Sequence, residues 1–213
     1  MALHARRIGT PLGEMVLAVE DDGAVVTLEF CAHQGPAALV AAVARPDEAV
    51  EWTPERGDDV VAQLDEYFRG ERRRFELPLA PRGSEFQRRV WQELTRIPYG
   101  TTLSYGELAQ RVGKKSATAS RAVGQANATN PIAIVVPCHR VIGHDGKLTG
   151  YAAGLSFKAK LLTLEGALAP DDLLPTHEPH TRAPAAAPGH GRALVRERRA
   201  RASADQPDLF AQP

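Results

Sequence analysis

The sequence predicts an α+β protein, with strands gathered near its start and helices dominating beyond residue 84. Three observations carry this. Two β-branched or apolar runs, at 15–19 and 24–30, flank an Asp22-Gly23 step, which is a hairpin signal. Two capping boxes, Ser84-x-x-Gln87 and Ser104-x-x-Glu107, each stand at the head of apolar residues at helical spacing. The length of 213 residues allows one large domain or two small ones, each with a core.

Taken in order, the hairpin at 15–30 is followed by a helix over 58–69, where Val60, Val61, Leu64, Tyr67 and Phe68 recur at helical spacing. Gly70 is placed to end it. Residues 75–77 predict one more short strand. Residues 78–83 carry Pro78, Pro81 and Gly83 and predict a linker that closes a first domain at 1–82. The box at Ser84 opens a helix through Phe86, Val90, Trp91, Leu94 and Ile97, which Pro98-Tyr99-Gly100 breaks. The box at Ser104 opens a short helix ending near Val112. Gly113 turns the chain, and a third helix is expected over about 117–126. Two short helices joined by a glycine-containing turn fit a helix-turn-helix, and equally an ordinary helical hairpin. A second domain over 84–167 results. From Leu168 the composition turns to Ala, Pro and His, then to an Arg-rich run over 192–201, and a disordered tail is expected over 168–213.

Hydrophobic residues make up 43% and charged residues 24%, as in ordinary globular proteins. No apolar run approaches the roughly 18 residues of a membrane span, so no membrane partner is expected. The N-terminus has no apolar signal core, which predicts a cytoplasmic protein. Cys31 and Cys138 are too few for a disulfide framework. The 26 basic and 26 acidic residues cancel, but not locally. Residues 1–82 hold 9 basic and 15 acidic side chains (−6), residues 83–130 hold 7 and 3 (+4), and the remainder holds 10 and 8 (+2). A neutral total therefore leaves a nucleic-acid partner open to the basic middle.

The stretch Ile134-Val-Val-Pro-Cys138-His139-Arg140-Val-Ile-Gly143 brings a thiol next to an imidazole. Only the thiolate attacks, and a free cysteine is a few per cent ionised at neutral pH. A nearby imidazole, Arg140 or Lys147, or a helix N-terminus would raise that fraction. Neighbouring strand side chains point to opposite faces, so contact needs a turn or a bridging water. A buried structural cysteine is the alternative.

These residues resemble those of the O6-alkylguanine-DNA alkyltransferases, the methylated-DNA–protein-cysteine methyltransferases. The resemblance runs through Asn130-Pro131, Pro137-Cys138-His139-Arg140-Val141, Thr149-Gly150-Tyr151-Ala152-Ala153-Gly154, Lys158, Leu161-Leu162 and Glu165-Gly166. Upstream it includes Phe86, Val90-Trp91, Ile97-Pro98-Tyr99-Gly100, Ser104 to Ala109, and Arg121-Ala122-Val123-Gly124. It covers about 84–166, while residues 1–82 fit the family's variable N-terminal domain only weakly. It implies a small RNase H-like α+β domain, then a mainly helical, winged-helix-like domain bearing a helix-turn-helix. The implied reaction is direct reversal of DNA damage. The alkyl group on guanine O6, and by extension thymine O4, passes once and irreversibly to the cysteine sulfur of a monomer that needs no cofactor.

The resemblance makes Cys138 the nucleophile, His139 a base acting through a bridging water, and Glu165 the carboxylate that orients the imidazole. It makes Asn130 a tie between the cysteine segment and the helix-turn-helix, and Tyr105 a donor toward guanine N3. Arg121 would fill the gap left by an extruded base, from a helix in the minor groove. Ser104, Ala122 and Val141 would join it at the DNA or base, and Tyr151 and Ala152 would wall the pocket. The chain departs from the family where glycine is common and Ala153 stands, which predicts slower reaction with bulky O6-benzyl groups than with O6-methyl. The alternatives are an alkyltransferase-like lesion-binding protein, which would lack Cys138, and a damage-sensing transcription regulator, which would need a further module. Cys31, His33 and His4 do not amount to four zinc ligands, and no metal is expected. Gln206-Pro-Asp-Leu209-Phe210 resembles the peptide by which repair proteins dock on the sliding clamp, with chance as the alternative.

Overall fold

The computed structural model describes residues 2–114 and 118–169. The expected hairpin is formed by β2 (Gly13–Val19) and β3 (Val25–Phe30), antiparallel around Gly23 at φ +88°. Sequence had not indicated β1 (Ala2–Thr10), which pairs antiparallel with β2, or β4 (Ala49–Trp52), which pairs parallel with β1. The sheet order is β3-β2-β1-β4. One face, with Leu3, Ala5, Val16, Ala18 and Val26, packs against Val40 of α1 (Pro36–Val43). The other carries Met15, Leu17 and Val19. Residues 15–19 are therefore buried without alternation, because the sheet is covered on both sides.

The helix expected over 58–69 is α2 (Asp58–Phe68), and Gly70 follows it at φ +75°. Its Val60, Leu64 and Tyr67 join the same core as Val90, Trp91 and Leu94 of α3 (Glu85–Thr95). The short strand expected over 75–77 is absent. Phe75 and Leu77 are instead buried, and this carries residues 78–80 to the outer edge of β3. There the Val25 N–H donates to Pro78 O at 2.8 Å, and the Ala80 N–H to Val25 O at 2.8 Å. The linker is thus partly a strand-edge cover. Gly83 is required by packing, since a Cβ there would lie 2.5 Å from the Trp91 ring.

Both capping boxes form. Ser84 caps α3, and Ser104 caps α4 (Tyr105–Arg111) with its hydroxyl accepting from the Glu107 N–H at 3.2 Å. Gly100, at φ +72°, breaks the chain after α3, and a Cβ there would meet Glu165 O at 2.8 Å. α4 packs on α5 (Ala119–Ala128), and the Trp91 Nε1–H donates to Ala126 O at 2.8 Å, locking α3 to α5. Residues 115–117 lie outside the described residues. A parallel pair, β5 (Leu103–Ser104) with β6 (Val141–Ile142), ties the start of α4 to the segment after Cys138. α6 (Leu155–Leu164) completes the second part. Leu168, expected to begin the tail, is buried with Ile142 and Leu162. The disorder expected further on, the Arg-rich run and the motif at Gln206, Leu209 and Phe210 all lie outside the described residues.

Candidate functional site

Residues 131–137 deliver the cysteine. The segment lies along β3, with the Leu28 N–H donating to Pro131 O at 2.8 Å and the Ala133 N–H to Leu28 O at 2.7 Å. Thr27 Oγ1 also donates to Pro131 O, at 2.9 Å. Ile134 then adopts φ +70°, unusual for a β-branched residue, and its buried side chain holds the turn in place. Asn130 staples this turn. Its Nδ2 donates to Val136 O at 2.8 Å and to Ile132 O at 3.3 Å, while its Oδ1 accepts from the Ile132 N–H at 3.1 Å.

The segment Cys138–Arg140 is a single 3-10 turn, so the geometry of a straight strand does not apply to Cys138 and His139. Cys138 is 6% exposed and His139 is fully buried. Glu165, at the end of α6, accepts at Oε1 from His139 Nε2 at 2.8 Å. That bond assigns the Nε2–H tautomer, with a buried Nδ1 that has no hydrogen-bond partner in the protein. Arg140 grips the same carboxylate with two bonds, Nε to Oε2 at 2.8 Å and Nη2 to Oε1 at 2.9 Å, while its Nη1 donates to Ile97 O at 2.5 Å. Tyr67 Oη donates to Glu165 Oε1 at 2.8 Å, and the Gly100 N–H reaches Oε2 at 3.4 Å.

The electrostatics follow from burial. Desolvation pushes the Cys138 thiol up, the Asn130 hydrogen bond and the charge of Lys158 pull it down, and Glu29 pushes it up again. Burial also lowers His139 below its usual value, against the opposing pull of Glu165, so the imidazole is neutral at pH 7. For Glu165, burial alone would raise the carboxyl, but His139 and Arg140 hold it well below the usual carboxylate range. The cation near the thiol is neither of those the sequence suggested. Arg140 is engaged by Glu165, and Lys147 pairs with Asp145 at 3.3 Å. It is Lys158, lowered by burial to about 8, whose Nζ donates to Val141 O at 2.5 Å and Thr149 O at 2.7 Å.

A cavity of about 100 Å³ opens on Cys138, walled by Gly150, Tyr151, Ala152 and Ala153 on one side and by Asn127, Ala128, Asn130 and Ala133 on another. Glu29, Phe30 and His33 of the first part close a third side. Tyr105 leads α4, its ring 3.7 Å from where a Cβ on Gly124 would stand and its Oη donating to Thr149 O at 3.4 Å. Cys138, Asn130, Tyr151 and Ala152 are therefore brought to one cavity, while His139, Glu165 and Tyr105 are not among the residues that line it. Arg121 and Ala122 lie on the exposed face of α5. Ser104 is occupied as a cap, and Val141 is fully buried in β6.

Sequence reasoning missed Tyr67, Lys158, Asn127 and Glu29 as site residues. Only Lys158 carried a signal, as one of the positions through which the family resemblance runs. His4 is taken up elsewhere, by Asp21 at 2.9 Å and Thr53 at 3.3 Å. Among the described residues no group of three or more His, Cys, Asp or Glu side chains is placed to hold a metal, and no helix is long and apolar enough to cross a membrane.

Comparison with known proteins gives a consistent set of relatives. Residues 85–167 match the family described as 6-O-methylguanine DNA methyltransferase, DNA binding domain, and residues 4–81 match its ribonuclease-like domain. The methylated-DNA–protein-cysteine methyltransferase of Mycobacterium tuberculosis is 46% identical over 173 residues, 80% of this chain and 97% of the relative. That of Methanosarcina acetivorans is 47% identical over 157 residues, 74% of this chain and 94% of the relative. The crystal structure of the M. tuberculosis O6-methylguanine methyltransferase superposes with a TM-score of 0.67 at 43% identity, covering 80% of this chain and 97% of that one. A structure of the M. tuberculosis protein in complex with DNA gives 0.66 over 76% of this chain and 92% of that one.

Proposed function

The chain belongs to the 6-O-methylguanine DNA methyltransferases, which repair DNA by alkyl transfer, and we propose that Cys138 is the sulfur that accepts the alkyl group. The observation that carries this reading is that Cys138 lines the cavity while the next residue, neutral His139, donates to Glu165 through Nε2 and leaves its buried Nδ1 unpartnered.

At rest the buried thiol keeps its proton. A water between Sγ and the unpartnered Nδ1 of His139 relays that proton to the imidazole as the sulfur attacks. The S–C bond forms while the C–O6 bond breaks. Glu165, held ionised, stabilises the imidazolium without taking its proton. The departing guanine gains electron density, which Tyr105 Oη relieves by donating toward N3. The electron pair of the broken C–O6 bond stays with the guanine, which remains in the DNA and takes up the proton lost by sulfur, so the net change is alkyl for hydrogen at Cys138. A thioether has no leaving tendency here, and the protein acts once.

The base reaches this cavity only when extruded from the duplex. We assign Arg121, on the exposed face of α5 with Ala122, to the gap it leaves. Tyr151 and Ala152 wall the base, while Ser104 acts by fixing Tyr105, and Val141 by fixing the floor. In this division of labour residues 84–167 carry DNA and chemistry, and 1–82 buttress them. The two free cysteines suit the cytoplasm, and a monomer suffices because every proposed group is on one chain.

The test is to incubate the protein with duplex DNA carrying O6-methylguanine and to weigh it intact. A gain of one methyl, at most once per molecule and lost in Cys138→Ser, is expected. Turnover, or modification at Cys31, would overturn the assignment. A separate proposal concerns Gln206, Leu209 and Phe210, as a dock for the polymerase sliding clamp. A 201–213 peptide should bind purified clamp and lose binding on Leu209→Ala with Phe210→Ala.

A further inference from the structure

The carboxylate that faces His139 is shared between the two halves of the molecule. Glu165 is 5% exposed and its Oε1 takes three donors: His139 Nε2, Arg140 Nη2 and Tyr67 Oη. Two of these come from the turn that bears Cys138. The third comes from α2, on the acidic first part of the chain, 98 residues away in sequence. Tyr67 is fully buried, and its ring is held by Phe68, Phe75 and Tyr99 at centroid distances of 5.4, 5.6 and 6.1 Å. Its hydroxyl is raised well above its ordinary value by burial, with the charge of Glu165 adding to that, so it is a donor at neutral pH.

We infer that Tyr67 is a positioning residue for alkyl transfer: its hydroxyl fixes the Glu165 carboxylate for His139, so the N-terminal part takes a direct hand in the chemistry. This rests on the proposed His139–Glu165 relay and deepens it. The physical argument is geometric first. Arg140 forks onto both carboxylate oxygens from the cysteine turn, and the Gly100 N–H reaches Oε2 at 3.4 Å. Tyr67 adds a donor from the first part of the chain at Oε1, the oxygen that the Nε2–H meets, and so resists displacement of that oxygen away from His139. The argument is also electrostatic. A donor that shares Oε1 draws charge from the oxygen facing the imidazole and so limits how far Glu165 can raise the basicity of His139. The other charged or titratable groups bearing on His139 are Arg140 on its own turn and Lys158 on α6, with Cys138 beside it in sequence and Tyr99 stacked over Arg140. None of these changes when the Tyr67 hydroxyl alone is removed.

The experiment compares Tyr67→Phe with wild type in single-turnover transfer from O6-methylguanine duplex DNA across pH 5 to 9, with DNA affinity measured separately. Phe75→Leu serves as a packing control, since it disturbs the ring cluster without touching the carboxylate, and His139→Gln tests the relay itself. The expected result for Tyr67→Phe is a transfer rate roughly three- to tenfold lower at pH 7 with unchanged DNA affinity. Its acid limb should shift upward by a few tenths of a pH unit, as His139 gains basicity. Phe75→Leu should lower the melting temperature without moving that limb. A Tyr67→Phe profile that superposes on wild type, or one reproduced by Phe75→Leu, overturns the inference while the relay stands. Full activity in His139→Gln overturns both.

Discussion

At the scale of single residues, the Cys138 thiol is set by neighbours of opposite effect. Glu29, itself raised by burial, lines the cavity and opposes ionisation of Cys138. Glu29→Gln should therefore lower the thiol's pKa and raise the transfer rate at pH 7 by about two- to threefold, read in single-turnover kinetics. Lys158→Met should act in the opposite sense, because it removes the cation that favours the thiolate. Ala153, on the cavity wall with Cys138, adds a methyl to the space that the proposed mechanism gives to the alkyl group. Ala153→Gly should speed inactivation by O6-benzylguanine more than reaction with O6-methylguanine. Equal effects on both would sink that reading. Cys138 and His139 stood out in sequence as a thiol beside an imidazole, while Asn130 read alone is a turn signal and was singled out only through the family resemblance. Glu165 was legible only through the family resemblance. Tyr67 and Glu29 were not legible at all, since nothing local to a helix tyrosine or a strand glutamate says which distant carboxylate or thiol it will meet.

At the scale of elements, α4 shows how a cap serves a site. Ser104 accepts from the Glu107 N–H at 3.2 Å, while the Glu107 carboxylate accepts from Ser104 Oγ at 2.7 Å and from the Ser104 N–H at 2.8 Å. Tyr105 is the first residue of that helix. Ser104→Ala should cost about 1 kcal/mol, read as a fall in melting temperature, and should slow transfer further by loosening the first turn that carries Tyr105. Both capping boxes and the α2 periodicity could be read from sequence because their signals are local. β1 could not, since its Ala2-Leu-His-Ala-Arg-Arg run has little β-branched character and is held as a strand by pairing on both sides. α1 escaped as well, although Gly35-Pro36 marks a helix start, and β4 is an exposed edge that only its partner defines.

At the scale of the molecule, the two parts share one apolar core, and the end of the first part is tied back onto it by charge. Arg82, in the former linker, bridges Glu20 at 2.8 Å and Glu48 at 2.7 Å, with the Glu48 side chain only 4% exposed. The Arg82 bonds, and to a lesser extent the Arg45 N–H, lower the Glu48 carboxyl to about 2. Its folded value lies below its unfolded one, so its stabilisation is present above about pH 4.5 and is lost as pH falls toward 2. Arg82→Ala should cost about 2–3 kcal/mol at pH 7 and should flatten the acid limb of a stability profile measured by denaturant. The separation of charge, −6 before residue 83 and +4 over 83–130, predicts DNA affinity that falls steeply with salt, with the acidic part turned from the duplex. A salt-independent affinity would count against it.

The ladder between β3 and residues 131–133 has a consequence for how the protein comes into being. Leu28 donates to Pro131 O, and the Ala133 N–H donates back to Leu28 O, across about a hundred residues of intervening chain. On the ribosome β3 is made long before its partner, so the acceptor segment can settle only when most of the chain has been synthesised. The turn that bears Cys138 is expected to settle late and to open with the sheet edge as one unit. In hydrogen exchange, the Leu28 and Ala133 amides should therefore share a single protection factor.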